Sequence, residues 1–269
     1  MALKAMTPDL IVLPTLPLGD YETKNRFSHF MKVTDSVIIG PGLGREMIIL
    51  EKFEYILDNL SGKVVVADAD YFWFISHDLS KYREKMKLMK VCVMTPNIGE
   101  FCRLFKQALG SEFDQSLIAS VTKYADQCSA EFVEYPLFEK IPEFKQLMSF
   151  FDNPGLIIVL KHKYDMVFNN SRCVLVKTPG SLKRCGGLGD LLCGVLSQLT
   201  QVALNHDLDV FDSVVLGCHI LKHSSYLASK DAPLSLIASD LILVIPRVVN
   251  SFLADSEMGS PKSDFLMIE

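Results

Sequence analysis

The sequence has no long apolar run and no concentration of positive charge, and each absence excludes a class of protein. No segment reaches the roughly 18 consecutive apolar residues that a membrane-spanning helix needs. The 269 residues include 27 lysines and arginines against 32 aspartates and glutamates, a formal charge of −5. Because no basic run is available to neutralise a phosphate backbone, we expect neither a membrane nor a nucleic acid among the partners.

The seven cysteines form no CxxC pair and no spacing that is typical of a zinc site. Their odd number and scattered positions do not suit the disulfide framework of a secreted protein. The N-terminus shows no basic flank followed by an apolar stretch, which is the pattern of an export signal. These features predict reduced thiols and a cytoplasmic location.

Short apolar runs rich in β-branched residues alternate with longer helical patterns, as in a parallel sheet with crossover helices. We therefore predict one α/β domain over residues 1–269. Strands are predicted at residues 9–13, 36–39, 63–67, 91–94, 156–160 and 173–177, and none is predicted between 106 and 153. Helices are predicted at 46–60, 190–203, 210–227 and 235–253, the last with Ser235 as N-cap and a kink at Pro246.

Ligands of open α/β sheets bind beyond the carboxyl ends of the strands. Four segments follow predicted strands directly: GPGLGR (40–45), DAD (68–70), TPNIGEF (95–101) and KHKYD (161–165). We expect the chemistry of the protein to lie in these segments.

A glycine-rich segment, GGLGD at 186–190, comes immediately before a predicted helix and puts Asp190 in its first turn. Converging backbone N–H groups and the positive end of the helix dipole favour a phosphate there. A carboxylate beside such a cradle can act as general base in phosphoryl transfer. An ordinary glycine turn followed by a first-turn acid explains the pattern equally well. Lys183 and Arg184 just upstream either meet nucleotide phosphates or are solvated charges.

Two common nucleotide-binding motifs are absent. The dinucleotide fingerprint GxGxxG needs glycine at position 45, where Arg45 stands, and Pro41 does not suit its turn. No GxxxxGK[ST] segment is present, which excludes a P-loop NTPase. The 40–45 segment is either a glycine loop that a ligand approaches closely or a plain tight turn.

Asn97 and Glu100, in NxxE spacing, follow a predicted strand. An amide and a carboxylate there suit a hydrated Mg²⁺ or polar ligand groups, whereas the same spacing is typical of a capping box. His219 and His223 lie four residues apart on a predicted helix, but without an intervening Glu or a third ligand they are a weak indication of a metal site.

Together with GSLKRCGGLGDLLCG (180–194), the four strand-end segments resemble, in order and spacing, the ATP-dependent NAD(P)H-hydrate dehydratase family of the ribokinase-like superfamily, in its eukaryotic form. The resemblance covers residues 3–253. It implies a ribokinase-like three-layer α/β fold, a mostly parallel sheet with helices on both faces. Relative to that family, an N-terminal βα region would be missing. The implied activity is repair of hydrated NADH or NADPH by phosphorylation and loss of phosphate, with Mg²⁺ entering as the ATP complex.

The resemblance also assigns roles to individual positions. Asp190 matches the catalytic acid, which also contacts substrate. Positions that match substrate-binding residues are Gly44, Asn97, Ile98, Gly99, Glu100, Phe101, Cys102 and Arg103. Positions that match ATP-binding residues are Lys161, His162, Lys163, Tyr164, Asp165, Gly180, Ser181, Leu182, Lys183, Arg184, Cys185, Gly186, Gly187, Leu188 and Gly189.

Two positions depart from the family pattern, His162 and Tyr71, where family members have glycine. We expect each side chain to point away from the ligand or else to narrow the pocket. Two other functions stay open: a small-alcohol or vitamin kinase of the same superfamily, and an inactive nucleotide-binding remnant. A homo-oligomer is among the open alternatives for the oligomeric state.

Overall fold

The computed structural model describes residues 21–231 and 233–257, and the strand predicted at 9–13 lies outside them. A seven-stranded sheet runs through the described part. Its strands are β1 (Ser36–Ile39), β2 (Val64–Ala67), β3 (Val91–Met94), β4 (Phe132–Glu134), β5 (Leu156–Leu160), β6 (Asp165–Phe168) and β7 (Cys173–Val176). Their spatial order is β1-β2-β3-β5-β6-β7-β4.

The sheet is mixed. The pairs β1–β2, β2–β3 and β3–β5 are parallel, whereas β5–β6, β6–β7 and β7–β4 are antiparallel. The five other predicted strands are confirmed, two of them one residue shorter at one end. The local sequence pattern does not indicate β6, because β6 follows β5 after a short turn and begins with a charged residue, Asp165. The expectation of no strand between 106 and 153 is wrong, since β4 lies there, but in this three-residue edge strand only Val133 is buried.

Helices flank the sheet on both faces. They are α1 (Tyr21–Lys32), α2 (Met47–Asp58), α3 (Asp70–Ile75), α4 (Leu79–Met86), α5 (Ile98–Leu109), α6 (Ser116–Gln127), α7 (Leu137–Lys140), α8 (Glu143–Phe151), α9 (Leu188–Asn205), α10 (Val210–Asp231) and α11 (Ala238–Glu257). No helix of the described ranges is both long enough and apolar enough to cross a bilayer.

The predicted helices are confirmed with shifted ends. The predicted N-cap of the last helix, Ser235, is wrong: α11 begins at Ala238, because the Asp240 carboxylate accepts the N–H of Ile237 at 3.0 Å and satisfies the helix start there. Pro246 lies inside α11.

Alternate residues of each central strand enter two separate cores, which gives the fold three layers. In β2, Val65 and Ala67 face a core shared with α2 to α8. Val64 and Val66 face a second core shared with α9, α10 and α11. All four residues of β2 are buried, because a strand covered on both faces has no solvent side.

The topology brings several loops to one edge of the sheet. The parallel strands β1, β2, β3 and β5 all end at this carboxyl edge. Two antiparallel reversals through β6 make β7 point the same way as β5, so the loop after β7 also leaves the sheet here. The segments that follow these five strands are therefore neighbours.

Gly40, directly after β1, lies where the loop after β1 closely approaches the loop after β2. Its φ is +113°, and a Cβ there would lie 1.8 Å from the Asp68 carbonyl oxygen. Gly42 also has a positive φ, +63°, but a Cβ would meet nothing within 4 Å. We expect Gly40→Ala to lower the free energy of unfolding by about 3 kcal/mol or more and Gly42→Ala by about 1 kcal/mol. Equal losses in urea titrations would contradict the close approach.

Candidate active site

A buried ion pair lies at the centre of the carboxyl edge. Asp68 follows β2 and Lys161 follows β5, and Lys161 Nζ lies 2.6 Å from Asp68 Oδ1. The Asp68 side chain is 5% exposed and that of Lys161 is 25% exposed. A carboxylate so far from water needs a close cation, so the pair fixes the two loops with respect to each other.

Backbone hydrogen bonds tie the same loops to the strands between them. Asp68 N–H donates to the Ile39 carbonyl at 3.1 Å, and Lys161 N–H donates to the Pro96 carbonyl at 3.0 Å. Thr95, fully buried at the end of β3, donates its N–H to the Ala67 carbonyl at 3.0 Å. These bonds explain how loops far apart in sequence keep one geometry.

The start of α9 packs directly against the ion pair. A Cβ on Gly189 would lie 2.9 Å from Asp68 Oδ2 and 3.7 Å from Lys161 Nζ. One turn later, Cys193 Sγ lies 3.7 Å from Asp68 Oδ2. Burial, followed by the negative charge of Asp68, raises the pKa of the Cys193 thiol to about 12, so Cys193 stays a protonated donor to the carboxylate.

Asp190 lies in the first turn of α9 and is exposed. Gly187 is the N-cap, with φ +87°, and no side chain of the described residues caps the helix there. The expected arrangement needs one correction: Gly186 and Gly187 precede the helix, whereas Gly189 lies within its first turn. Uncapped N–H groups and the helix dipole together favour an anion at this helix start.

Asn97 and Glu100 form the capping box that their spacing predicted. Asn97 Oδ1 accepts the Glu100 N–H at 3.0 Å, and Glu100 Oε2 accepts the Asn97 N–H at 2.8 Å. Burial raises the pKa of Glu100, and the positive charge of Lys161 lowers it in part. The capping interpretation is confirmed, and the start of α5 lies within electrostatic range of the ion pair.

The DAD segment directs its two carboxylates to different loops. Ala69 between them has φ +51°, a conformation that non-glycine residues seldom adopt. Asp70 accepts the Gly44 N–H at 3.1 Å and the Arg45 Nε–H at 2.8 Å. Asp68 thus holds the 161–165 segment through Lys161. Asp70 holds the glycine turn at 40–45. Neither Asp68 nor Asp70 has a role predicted from the sequence, although their position directly after a predicted strand was a usable signal.

Residues 161–164 form the turn between β5 and β6, and Asp165 is the first residue of β6. Asp165 Oδ1 accepts the His162 N–H at 3.2 Å, and burial raises the Asp165 pKa. Burial and then the positive charge of Arg184 lower the pKa of His162, so this turn faces the glycine-rich loop.

Several predicted ligand-binding side chains have partners elsewhere. Lys163 Nζ and the Tyr164 hydroxyl both bond Asp126 on α6, at 3.1 and 2.5 Å. Lys183 Nζ donates to the Leu234 carbonyl at 2.7 Å, and Leu182 is 96% exposed. In the described structure these side chains do not converge on the ion pair.

Three further positions of the sequence analysis are buried or turned aside. Phe101 is fully buried and stacks on Phe144 with ring centres 5.5 Å apart, so its place among the substrate-binding positions stays a prediction. Cys102 interacts with the Gln115 side chain beyond α5. Tyr71 is fully buried against Phe53 at 5.9 Å, so this departure from the family pattern does not narrow the site.

Around Gly99, the Arg103 guanidinium comes within 3.8 Å of where a Cβ would be, at the exposed start of α5.

His219 and His223 stack with their ring centres 5.7 Å apart, and Thr178 Oγ1 lies 2.7 Å from His219 Nδ1. Over residues 21–231 and 233–257, no group of three His, Cys, Asp or Glu side chains could hold a metal ion.

Solved structures with the same architecture identify the fold class. A hypothetical protein of Streptococcus mutans aligns with a TM-score of 0.63 at 17% identity, covering 96% of this chain and 76% of that chain. A ribokinase-like superfamily protein of Enterococcus faecalis aligns with a TM-score of 0.58 at 16% identity, covering 94% and 72%. The fold is the predicted ribokinase-like α/β fold.

A carbohydrate-kinase family model, described as NAD(P)H-hydrate dehydratase, matches residues 1–134 and 144–247. The chain therefore belongs to the NAD(P)H-hydrate dehydratase family. An ATP-dependent (S)-NAD(P)H-hydrate dehydratase of Entamoeba histolytica is 28% identical over 264 residues, covering 96% of this chain and 76% of that protein. One of Caenorhabditis elegans is 31% identical over 197 residues, covering 72% of this chain and 55% of that protein. The chain thus spans 76% of the length of the first relative and 55% of the length of the second.

The contact between Gly189 and the ion pair can be tested within one helix. Gly194, also in α9, has open space around it, so Gly194→Ala should gain helix propensity and raise the free energy of unfolding by up to about 1 kcal/mol. Gly189→Ala meets a carboxylate that Lys161 holds in place, and we expect a loss of about 1 to 2 kcal/mol. Equal gains from both substitutions in urea titrations would contradict the packing of α9 on Asp68.

Proposed function

We propose that the protein catalyses ATP-dependent dehydration of hydrated NADH and NADPH, with the Asp190 carboxylate as the general base. The observation that supports the proposal most is the start of α9, where an exposed carboxylate and uncapped N–H groups adjoin the Asp68–Lys161 ion pair. Membership of the family and the names of the relatives support the choice of substrate.

In the proposed reaction the hydroxyl of the hydrated nicotinamide ring attacks the γ-phosphorus of ATP. Asp190 takes the hydroxyl proton, an O–P bond forms, and the bond to the bridging oxygen breaks to release ADP. The ring C–O bond then breaks and phosphate leaves with the bonding pair. Loss of a proton from the adjacent ring carbon restores the double bond of NADH or NADPH. Phosphorylation thus turns a poor leaving group into a good one.

The chain's own groups would stabilise charge during the transfer. The N–H groups of Gly186 to Gly189 and the dipole of α9 favour the anionic phosphoryl group. Lys161 adds a fixed positive charge because Asp68 holds its ammonium in one position. A preorganised cation of this kind needs no reorientation as charge develops.

Mg²⁺ would enter with ATP. Mg²⁺ in a nucleotide complex keeps several waters and takes ligands from phosphates, so it needs few oxygen ligands from the protein. Glu100 is the carboxylate that could hold it, through the oxygen not used in capping. Bound Mg²⁺ would neutralise phosphate charge.

Four features of the protein remain predictions: ATP as a partner, hydrated NADH or NADPH as a partner, a cytoplasmic location, and a homo-oligomer.

Replacing the acid tests the proposal. We expect Asp190→Asn to lower hydrate-dependent ADP release by about 10²- to 10⁴-fold, because the amide cannot accept the hydroxyl proton. ATP affinity, measured by calorimetry, should change little. Asp212→Asn is the control: it makes the same change in the first turn of α10, where Asp212 pairs with Arg172 beside the turn between β6 and β7.

The product separates the proposed dehydratase from a kinase. Mixing hydrated NADH, ATP and Mg²⁺ with the purified chain should restore the absorbance of reduced nicotinamide and release free phosphate. Accumulation of a stable phosphorylated alcohol would favour the small-molecule kinase instead. Near-normal turnover of Asp190→Asn would remove Asp190 from the mechanism.

A further inference from the structure

One turn of α10 contacts both segments that were predicted to bind ATP. Lys222 Nζ donates to the Lys163 carbonyl at 3.1 Å and lies 3.4 Å from Asp165 Oδ2. Ser225 Oγ accepts the Ser181 N–H at 3.1 Å. The turn thus bonds the 161–165 segment with one side chain and the glycine-rich loop with the other.

The two side chains act from the same face of the helix, since positions three apart are neighbours on a helix surface. Ser225 Oγ also donates to the Lys222 carbonyl at 2.8 Å, which fixes its lone pairs toward the loop. Gly180 packs directly on this turn: a Cβ there would lie 3.4 Å from Ser225 Oγ and 4.0 Å from Lys222 Cγ. The start of the glycine-rich loop therefore has little freedom to shift.

Lys222 also answers an electrostatic requirement. The Asp165 side chain is 11% exposed and that of Lys222 is 15% exposed. A buried carboxylate without a cation is costly, and Lys222 supplies the charge from outside the turn. Its ammonium is engaged by Asp165 and the Lys163 carbonyl, so Lys222 acts on the nucleotide only through the turn that it holds.

We propose that Lys222 and Ser225 are positioning residues that set the spacing between the two ATP-binding segments and so determine the affinity for ATP. The proposal rests on the assignment of these segments to ATP in the proposed function. Neither residue lies in a segment that carries the family resemblance. The interaction predicts a selective effect, on ATP rather than on the hydrated cofactor.

The test measures ATP binding by calorimetry and the two Michaelis constants separately. For Lys222→Met, which keeps the apolar stem and removes the charge, we expect ATP binding at least tenfold weaker and a matching rise in KM for ATP. The value of kcat at saturating ATP and KM for the hydrate should stay within about threefold. For Ser225→Ala we expect a smaller loss, about two- to fivefold, because one hydrogen bond is removed.

Two controls keep the result interpretable. Lys222→Met leaves Asp165 unpaired and could unfold the chain, so ATP binding is also compared between Asp165→Asn and the double variant Lys222→Met/Asp165→Asn, which differ only at Lys222. Lys230→Met alters an exposed lysine of the same helix and should bind ATP normally. Weaker ATP binding by the folded double variant than by Asp165→Asn supports the proposal; equal ATP affinities of these two variants overturn it.

Failure of the positioning role can be distinguished from failure of the proposed function. Suppose that the Lys222 variants lose ATP binding and that the unaltered protein makes a stable phosphorylated alcohol. This result would retain the positioning role and reject the dehydratase. Wild-type ATP affinity in these variants, with Asp190→Asn inactive on hydrated NADH, would retain the dehydratase and reject the positioning role.

Discussion

Two opposite charges, Asp68 and Lys161, are held at the ends of β2 and β5 with β3 between them, and the candidate site is built around their contact. Neither charge is well solvated, so each depends on the other. Gly189 has no side chain, which lets the first turn of α9 lie against the pair. The orientation of Asp190 therefore depends on an interaction between loops that are far apart in sequence. Removing either charge would disturb the helix start as well as the loops.

The sequence predicted the central strands well because they are buried on both faces. Such strands are continuous runs of apolar, β-branched residues, and VVVA in β2 and LIIVL in β5 have no other good explanation. Knowing where strands end was then enough to predict which loops meet, since parallel strands end at one edge. The capping box of Asn97 and Glu100 was also predictable, because both of its hydrogen bonds join residues only three positions apart.

What the sequence could not supply was pairing across long distances. The antiparallel strand β6 begins with Asp165, whose burial depends on Lys222 in a helix distant in sequence. No local sequence pattern therefore predicts this strand. Phe101 stands in a segment rich in ligand-like residues, yet the packing of Phe144 and Phe168 draws its side chain into the core. The side chains of Lys163 and Tyr164 likewise bond a residue that is distant in sequence, Asp126. Tertiary partners decided each of these side chains.

The reversal of direction at β6 has an electrostatic consequence for the whole molecule. It returns the chain to the carboxyl edge, so α9 and α11 both begin there, alongside α5. Each helix start carries a partial positive charge, while the protein as a whole carries a formal charge of −5. Three helix starts gathered at one rim favour the phosphate end of a polyanion there, against the net negative charge of the molecule. Added salt would weaken this guidance and slow capture while leaving the docked arrangement unchanged.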